Sequence, residues 1–348
     1  MAEREWTTAD FDYDLPPELI AQEPVPERGT SRLLVVHRTP GTNPPREDLA
    51  FADLVGRIPP GDVLVVNSTR VRHARLLGRR PGGGPAEVLL LHPLTGDRWL
   101  AMGKPGSALR PGKQVLLGDE LAIETLLVRD DGFREVRVVG ADAATAIERF
   151  GRLPLPPYIA RDPDQRDEAR YQTVYADREG SVAAPTAGLH FTTELLDAVR
   201  ARGVEVVALD LEVGPGTFRP VEAEDPREHA MHEERFEIPD TVATAIAAAR
   251  GRGAAVWAVG TTVVRALESA GEPDGTVRPG AASTRLMILP GYRFQVVNRL
   301  LTNFHLPRST LLMLVAAFAG HETTMQAYHH AVARRYRFYS YGDAMCLI

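Results

Sequence analysis

The chain predicts an α/β fold, with a mainly parallel sheet built from both chain ends and an antiparallel β domain inserted in the first half. Three observations carry this. From Asp62 the sequence runs through short apolar segments separated by turns rich in Gly, Pro and Asp, the signature of a barrel or sandwich. Beyond residue 157 helical and strand patterns alternate, which implies βα units and a parallel sheet. Finally, 348 residues are too many for one small core.

Each element follows from its local pattern. Strands are expected at 63–66, 74–79, 86–92, 99–102, 114–117, 121–128 and 133–138, and no helix-period segment interrupts them until 143–150. The proline-rich connector Leu153-Pro-Leu-Pro-Pro157 then separates the two styles. After it come a helix at 194–201 opened by a Thr192/Thr193 cap, a strand at 204–209, a helix at 240–250, a strand at 254–259 and a helix at 262–270. The segment 311–319 is apolar all round and ends at Gly320, the pattern of a buried helix. The domain division expected from this is 1–69 with 151–348 for the α/β domain and 70–150 for the insertion. No internal repeat or low-complexity tract is visible.

Composition excludes several function classes. At 44% hydrophobic and 25% charged the chain is that of an ordinary globular protein. Its longest strongly apolar run is about half of the ~20 residues a bilayer requires. The start Met1-Ala-Glu-Arg-Glu-Trp has no signal-peptide core, so a cytoplasmic location without membrane partners is expected. Cys346 is the single cysteine, which rules out an internal disulfide, a Cys-rich zinc site and a three-cysteine iron–sulfur cluster. The net charge of −6 argues against indiscriminate coating of nucleic acid, although a local basic patch is compatible with it. Only Lys104 and Lys113 are lysines, so nearly all 40 basic residues are arginine, a skew that codon bias alone also produces.

Six constellations bear on chemistry. The run from Ser181 to Phe191 sets Thr186, Gly188 and His190 just before a capped helix, whose free N–H groups favour an anion. His190 there is either a proton carrier or a satisfied structural histidine. Val256 to Arg265 reads as strand, glycine turn at Gly260, threonine cap at Thr261 and helix. Arg265 is placed either to hold a carboxylate or phosphate, or simply to pair with Glu268. Gly214-Pro-Gly216-Thr217 fails the dinucleotide fingerprint, because Pro215 splits the glycines and Arg219 replaces the third; a tight turn beside a ligand is the reading left. His229-Ala-Met-His232-Glu-Glu234 offers proton transfer by His232 tuned by Glu234, or a solvated turn; no third metal ligand is placed nearby. Asn303 and His305 precede the apolar helix, and Tyr336, Arg337 and Asp343 lie in a run of arginines and aromatics that suits either phosphates and bases or a helix end entering a core strand.

Taken together these runs resemble the queuosine-pathway S-adenosylmethionine:tRNA ribosyltransferase-isomerases over nearly the whole chain. The likeness also takes in Phe11-Asp-Tyr-Asp-Leu-Pro16, Asn67-Ser-Thr-Arg-Val71, Leu153 to Tyr158 and Tyr171-Gln-Thr-Val-Tyr175. It implies a mainly parallel α/β domain with an inserted antiparallel β-barrel. The activity implied is transfer of the ribosyl moiety of S-adenosylmethionine to the aminomethyl-deazaguanine wobble base of tRNA, giving epoxyqueuosine with loss of adenine and methionine. No metal or other cofactor is implied beyond S-adenosylmethionine as co-substrate. His190 or His232 would be the base and Glu234 its partner. Arg265 and Thr261 would be donor-anion contacts, Asn67 and Arg70 polar contacts near the barrel junction, and Tyr336, Arg337 and Asp343 candidates for the acceptor side. The chain departs from the family pattern at Ser68, Glu212, Glu233, Arg235, Arg285, Leu289 and Asn298, changes that bear on the acceptor. Two other readings accompany the first: the same donor chemistry on a small-molecule amine or water, and a catalytically silent RNA-binding protein.

Overall fold

The computed structural model describes residues 5–38, 45–218 and 221–348. The valines and leucine of Val63–Asn67 leave the segment no polar face, and the strand is buried at every position. It runs in the middle of a nine-stranded sheet, parallel to Glu205–Leu211 on one side and Val256–Val259 on the other. Arg299–Asn303 extends the parallel centre beyond Val256–Val259. Antiparallel pairings lead to the edges: Glu234–Ile238 and Gly280–Thr284 beyond Glu205–Leu211, and Ala344–Leu347 beyond Arg299–Asn303. Arg32–Val36 lies parallel to Ala344–Leu347, with Arg46–Ala50 outside it, so both chain ends complete one sheet.

Alternation along each strand sorts side chains to two faces. Leu33, Val35, Leu64 and Val66 pack with Leu196 and Val199 of the helix Thr193–Ala201. Leu34, Val36, Val63 and Val65 pack on the other face with the helices Asp240–Gly251, Thr261–Ala270, Thr310–Ala319 and His321–Ala333. Of the caps expected from sequence, Thr192 forms one, its Oγ1 accepting from the Leu195 N–H at 3.2 Å, whereas Thr261 is the first helical residue and caps nothing, Gly260 holding the cap position; Ser309 Oγ, accepting from the Leu312 N–H at 3.2 Å, caps the apolar helix.

Between these elements the strands Arg75–Arg79, Pro85–Pro93, Arg98–Lys104, Arg134–Val139, Leu121–Val128 and Gln114–Leu117 pair antiparallel in that order, and Arg79 pairs with Leu116 to close a barrel. Gly78 permits the closure, since a β-carbon there would stand 2.4 Å from the Leu116 carbonyl oxygen. Leu76, Val88, Leu90, Val115, Ile123 and Val136 fill the interior with Ala146 of the helix Ala143–Phe150. The chain returns to the sheet through Glu179–Ser181, which pairs in parallel with Arg70–Val71.

The expected elements lie within a residue or two of the observed ones. Six strands of the large sheet, 32–36, 46–50, 234–238, 280–284, 299–303 and 344–347, and the helix His321–Ala333 were outside the sequence reading. His229 to Glu233 is irregular, with no helix to put His229 and His232 one turn apart. Among the described residues no helix is long and apolar enough to cross a membrane.

Candidate active site

At the carboxyl ends of the parallel strands, where open α/β sheets bind ligands, the chain forms a small, partly open pocket of about 50 Å³. Val256–Val259 ends at Gly260, whose φ of +98° lies in the region that favours glycine, and the helix Thr261–Ala270 starts there with no side-chain cap. Its first N–H groups therefore face the pocket without a capping oxygen. Thr186, Thr262, Asn303, His305 and Tyr339 complete the polar wall.

Asn303, only 2% exposed, donates its Nδ2 hydrogens to the Tyr339 carbonyl at 3.0 Å and to His190 Nε2 at 3.1 Å. Those two acceptors fix the amide, since a flip would set oxygen against carbonyl oxygen. Asn303 Oδ1 is left with no hydrogen-bond partner among the described residues, and so are Thr262 Oγ1 and Tyr339 Oη. Burying such a group unpaired costs about 1–3 kcal/mol, so three of them around one pocket mark a place where water or a ligand supplies the partners. Tyr339 is itself held at φ +71°, a conformation a β-carbon disfavours, with its ring 4.6 Å from that of Tyr158.

The two histidines beside the pocket are neutral. Burial pushes His190 down to about 4 and His305 to about 3. With Nε2 accepting from Asn303, the His190 proton sits on Nδ1 and is donated to Ser31 Oγ at 2.7 Å, while the ring stacks on Phe51 with centroids 5.0 Å apart. Its lone pair thus already accepts from Asn303, which argues against His190 as the group that removes a substrate proton. His305 shares a 2.7 Å hydrogen bond between Nε2 and Thr302 Oγ1.

A second space, a cleft of about 1040 Å³, lies between the barrel and the large sheet. Leu91, His92, Leu100 and Phe133 form its barrel side, and Glu212, Gly214, His232, Arg235 and Arg285 its sheet side. Val213 lines both the cleft and the small pocket, so the two spaces adjoin at this residue. The His232 ring leans on Phe133 with centroids 5.0 Å apart. Gly216 admits that ring, because a β-carbon there would stand 2.2 Å from His232 Cδ2. The Thr217 side chain lies outside the described residues.

Several sequence candidates serve the fold instead. Arg265, expected to hold a substrate anion, is ion-paired through Nη1 with Glu234, and both side chains are buried. Glu234 is therefore engaged with Arg265. The alternative pairing of Arg265 with Glu268 does not form either, since Glu268 accepts from the backbone N–H groups of Gln295, Val296 and Val297. Asn67 is saturated by the backbone: Nδ2 donates to Leu211 O, and Oδ1 accepts from Thr69 and Leu211 N–H groups. Gly188 makes room for the Tyr175 hydroxyl, 2.0 Å from where a β-carbon would be. Arg70 is exposed and donates to the Ala176 carbonyl. Asp343 accepts from the Arg32 side chain and from the backbone N–H groups of Arg32 and Arg337, Tyr336 donates to Asp48, and Arg337 donates to the Glu23 carbonyl. These last three form the junction between a helix end and the core strand Ala344–Leu347, the structural option for that run.

The departures from the family pattern fall in two places. Glu212, Glu233, Arg235 and Arg285 gather on the cleft wall, where Glu233 and Arg285 answer each other at 2.9 Å. Ser68, which donates to Asp210, Leu289, which packs at the core edge, and Asn298, which accepts from the Val256 N–H at 2.9 Å, hold structure. Sequence reasoning missed Ser31, Thr262, Tyr158 and Tyr339. Thr262 adjoins the recognised cap and Tyr339 the recognised aromatic run, but no local pattern points to Ser31. Among the described residues no group of three or more His, Cys, Asp or Glu is placed to hold a metal ion.

A small pocket beside a wide cleft, the two sharing Val213 in their walls, is compatible with an enzyme that brings a small donor to a large acceptor. The comparisons agree: the family model described as queuosine biosynthesis protein matches residues 8–347, and the chain belongs to that family. It is 53% identical over 343 residues to the S-adenosylmethionine:tRNA ribosyltransferase-isomerase of Symbiobacterium thermophilum, covering 98% of this chain and 99% of that protein. It is also 53% identical to the protein of the same name from Paraburkholderia xenovorans, with 98% of each covered. Among solved structures it is similar to the S-adenosylmethionine tRNA ribosyltransferase of Thermotoga maritima, at 36% identity and a TM-score of 0.55 over 97% of this chain and all of that one.

Proposed function

We propose that this protein is an S-adenosylmethionine:tRNA ribosyltransferase-isomerase of queuosine biosynthesis. It moves the ribosyl moiety of S-adenosylmethionine to the aminomethyl-deazaguanine wobble base of tRNA, forming epoxyqueuosine and releasing adenine and methionine. The observation that carries this reading is the adjacency of the two spaces at Val213. The small pocket suits one end of the donor, and the cleft, at about 1040 Å³, has room for a base displaced from the anticodon loop. S-adenosylmethionine is consumed as co-substrate, and the chemistry calls on no further cofactor.

The reaction needs a base at the methylene beside the sulfonium and acid assistance to the departing adenine. The sulfonium acidifies that methylene, so an imidazole suffices. His232 is the group for this work, being on the wall of the cleft that Val213 also lines while the His190 lone pair is occupied. Glu212, Arg235 and Arg285 form the acceptor side.

The test is to follow adenine release and tRNA mass after mixing the protein with S-adenosylmethionine, with and without tRNA carrying the aminomethyl-deazaguanine. Adenine release coupled to a heavier tRNA is expected. Release without tRNA gain would move the activity to another acceptor, and tRNA binding with no donor turnover would make the protein a silent binder. Gly216→Ala should push His232 off Phe133 and lower turnover about tenfold, a change of about 1.4 kcal/mol in the barrier, with the unfolding midpoint in urea nearly unmoved. Unchanged turnover in both Gly216→Ala and His232→Ala would remove His232 from the mechanism.

A further inference from the structure

The polar wall of the small pocket specifies which end of the donor it takes. Its lining contains no Asp, Glu, Lys or Arg, and the one titratable imidazole in it, His305, is neutral. A ligand group carrying a single net charge would be poorly compensated there, because burying an unpaired charge is costly. A zwitterion is different. The uncapped N-terminus of Thr261–Ala270 offers N–H groups and the positive end of a helix dipole to a carboxylate. Asn303 Oδ1 is a pure acceptor, 2% exposed as a residue and unpartnered, and it requires an N–H or O–H donor; Tyr339 Oη and Thr262 Oγ1 can accept beside it. The space of about 50 Å³ holds about four water-sized groups, which suits an α-carboxylate and α-ammonium.

We propose that this pocket receives the α-amino-acid end of the sulfonium donor, with its ammonium on Asn303 Oδ1 and its carboxylate at the N-terminus of Thr261–Ala270, and that His190 is the positioning residue that keeps Asn303 turned for it. The inference rests on the donor reading above. The chain of contacts is continuous: Ser31 Oγ takes the His190 Nδ1 proton at 2.7 Å, which leaves Nε2 as an acceptor for Asn303 Nδ2 at 3.1 Å, and the Tyr339 carbonyl takes the second amide hydrogen at 3.0 Å. With both amide hydrogens occupied, the oxygen has only the pocket to face. The adenine and ribose then lie on the Val213 side, toward the cleft, where the acceptor reaches the ribose carbons.

The experiment measures kcat and KM for adenine release, with saturating precursor tRNA, for S-adenosylmethionine, its decarboxylated analogue and its deamino analogue. The wild-type protein should show KM values about 100-fold or more higher for both analogues, since each leaves buried polar groups unpaired. Asn303→Leu should raise KM for S-adenosylmethionine about 100-fold while leaving the deamino analogue nearly unaffected. His190→Leu should follow it in the same direction, about tenfold, and His190→Gln, whose side-chain oxygen can accept from Asn303, should restore most of the loss. Should Asn303→Leu fail to fold, the wild-type comparison of analogues decides alone. Equal KM values for all three donors with turnover intact would overturn the subsite and leave the transferase reading standing. Equal losses on all donors in His190→Leu would overturn its positioning role, and no adenine release from S-adenosylmethionine by the wild type would overturn both readings.

Discussion

Arg265→Leu is expected to lower the unfolding free energy by about 3–5 kcal/mol, measured by urea denaturation at neutral pH. The arginine and its partner Glu234 have side chains 6% and 4% exposed. Removing the guanidinium leaves a carboxylate inside the protein without its counter-charge, at the start of the strand Glu234–Ile238. The pair also joins two elements, since Arg265 comes from the helix that starts at the small pocket and its Nε donates to the Leu286 carbonyl at 3.2 Å. Replacing both residues by leucine should recover most of the loss, because an apolar pair of similar volume avoids the desolvation of two ions. A loss below about 1 kcal/mol in the single variant would show that the pair is solvated in solution. Adenine release should decline with the folded fraction, because Arg235 and the Glu233–Arg285 pair hang on the same strand and its neighbour.

This pair also shows where sequence reading stops. Arg265 was legible as a functional arginine because it follows a glycine turn and a threonine cap, and Glu234 because it follows two histidines. That they neutralise each other depends on the strand Glu234–Ile238 being laid antiparallel to Glu205–Leu211 within reach of the helix, a register set by packing between segments far apart in sequence. The barrel strands were legible because each is short, apolar and bounded by turn residues. The strand Arg46–Ala50 was not, since its sequence Arg-Glu-Asp-Leu-Ala shows almost no apolar alternation and it is held at a sheet edge by Arg32–Val36. Gly260, Thr261, Asn303 and Thr186 were recognised and do share one pocket, because turns and caps at strand ends announce themselves locally. Ser31 carries no such mark. Its value comes from a contact with His190 across 159 positions, and the same contact decides that His190 holds a neighbour in place instead of taking a proton.

Stability should fall as pH is lowered from 7 toward 5, and His190 and His305 should account for most of the fall. The unfolded chain binds a proton on each imidazole with an ordinary pKa near 6.5, whereas the folded protein, by burying them, holds His190 at about 4 and His305 at about 3. Well above pH 6.5, from about pH 7.5, neither state is protonated and the full stability is present. Between 6.5 and 4 the unfolded state takes up protons that the folded state refuses, so acid favours unfolding. By pH 5 this amounts to about 2 kcal/mol for each histidine. Most carboxylates ionise below this window, so the slope between pH 6.5 and 5 belongs to buried imidazoles, with smaller contributions of the same sign from His92 and His229, both lowered by partial burial. Urea titrations at half-unit intervals would read it, and His190→Gln should remove roughly half of the slope while keeping the acceptor for Asn303. A flat profile between pH 7 and 5 would mean that the His190 ring is hydrated in solution. The amide of Asn303 would then be free to turn, and the pocket would lose the fixed oxygen on which its choice of ligand depends.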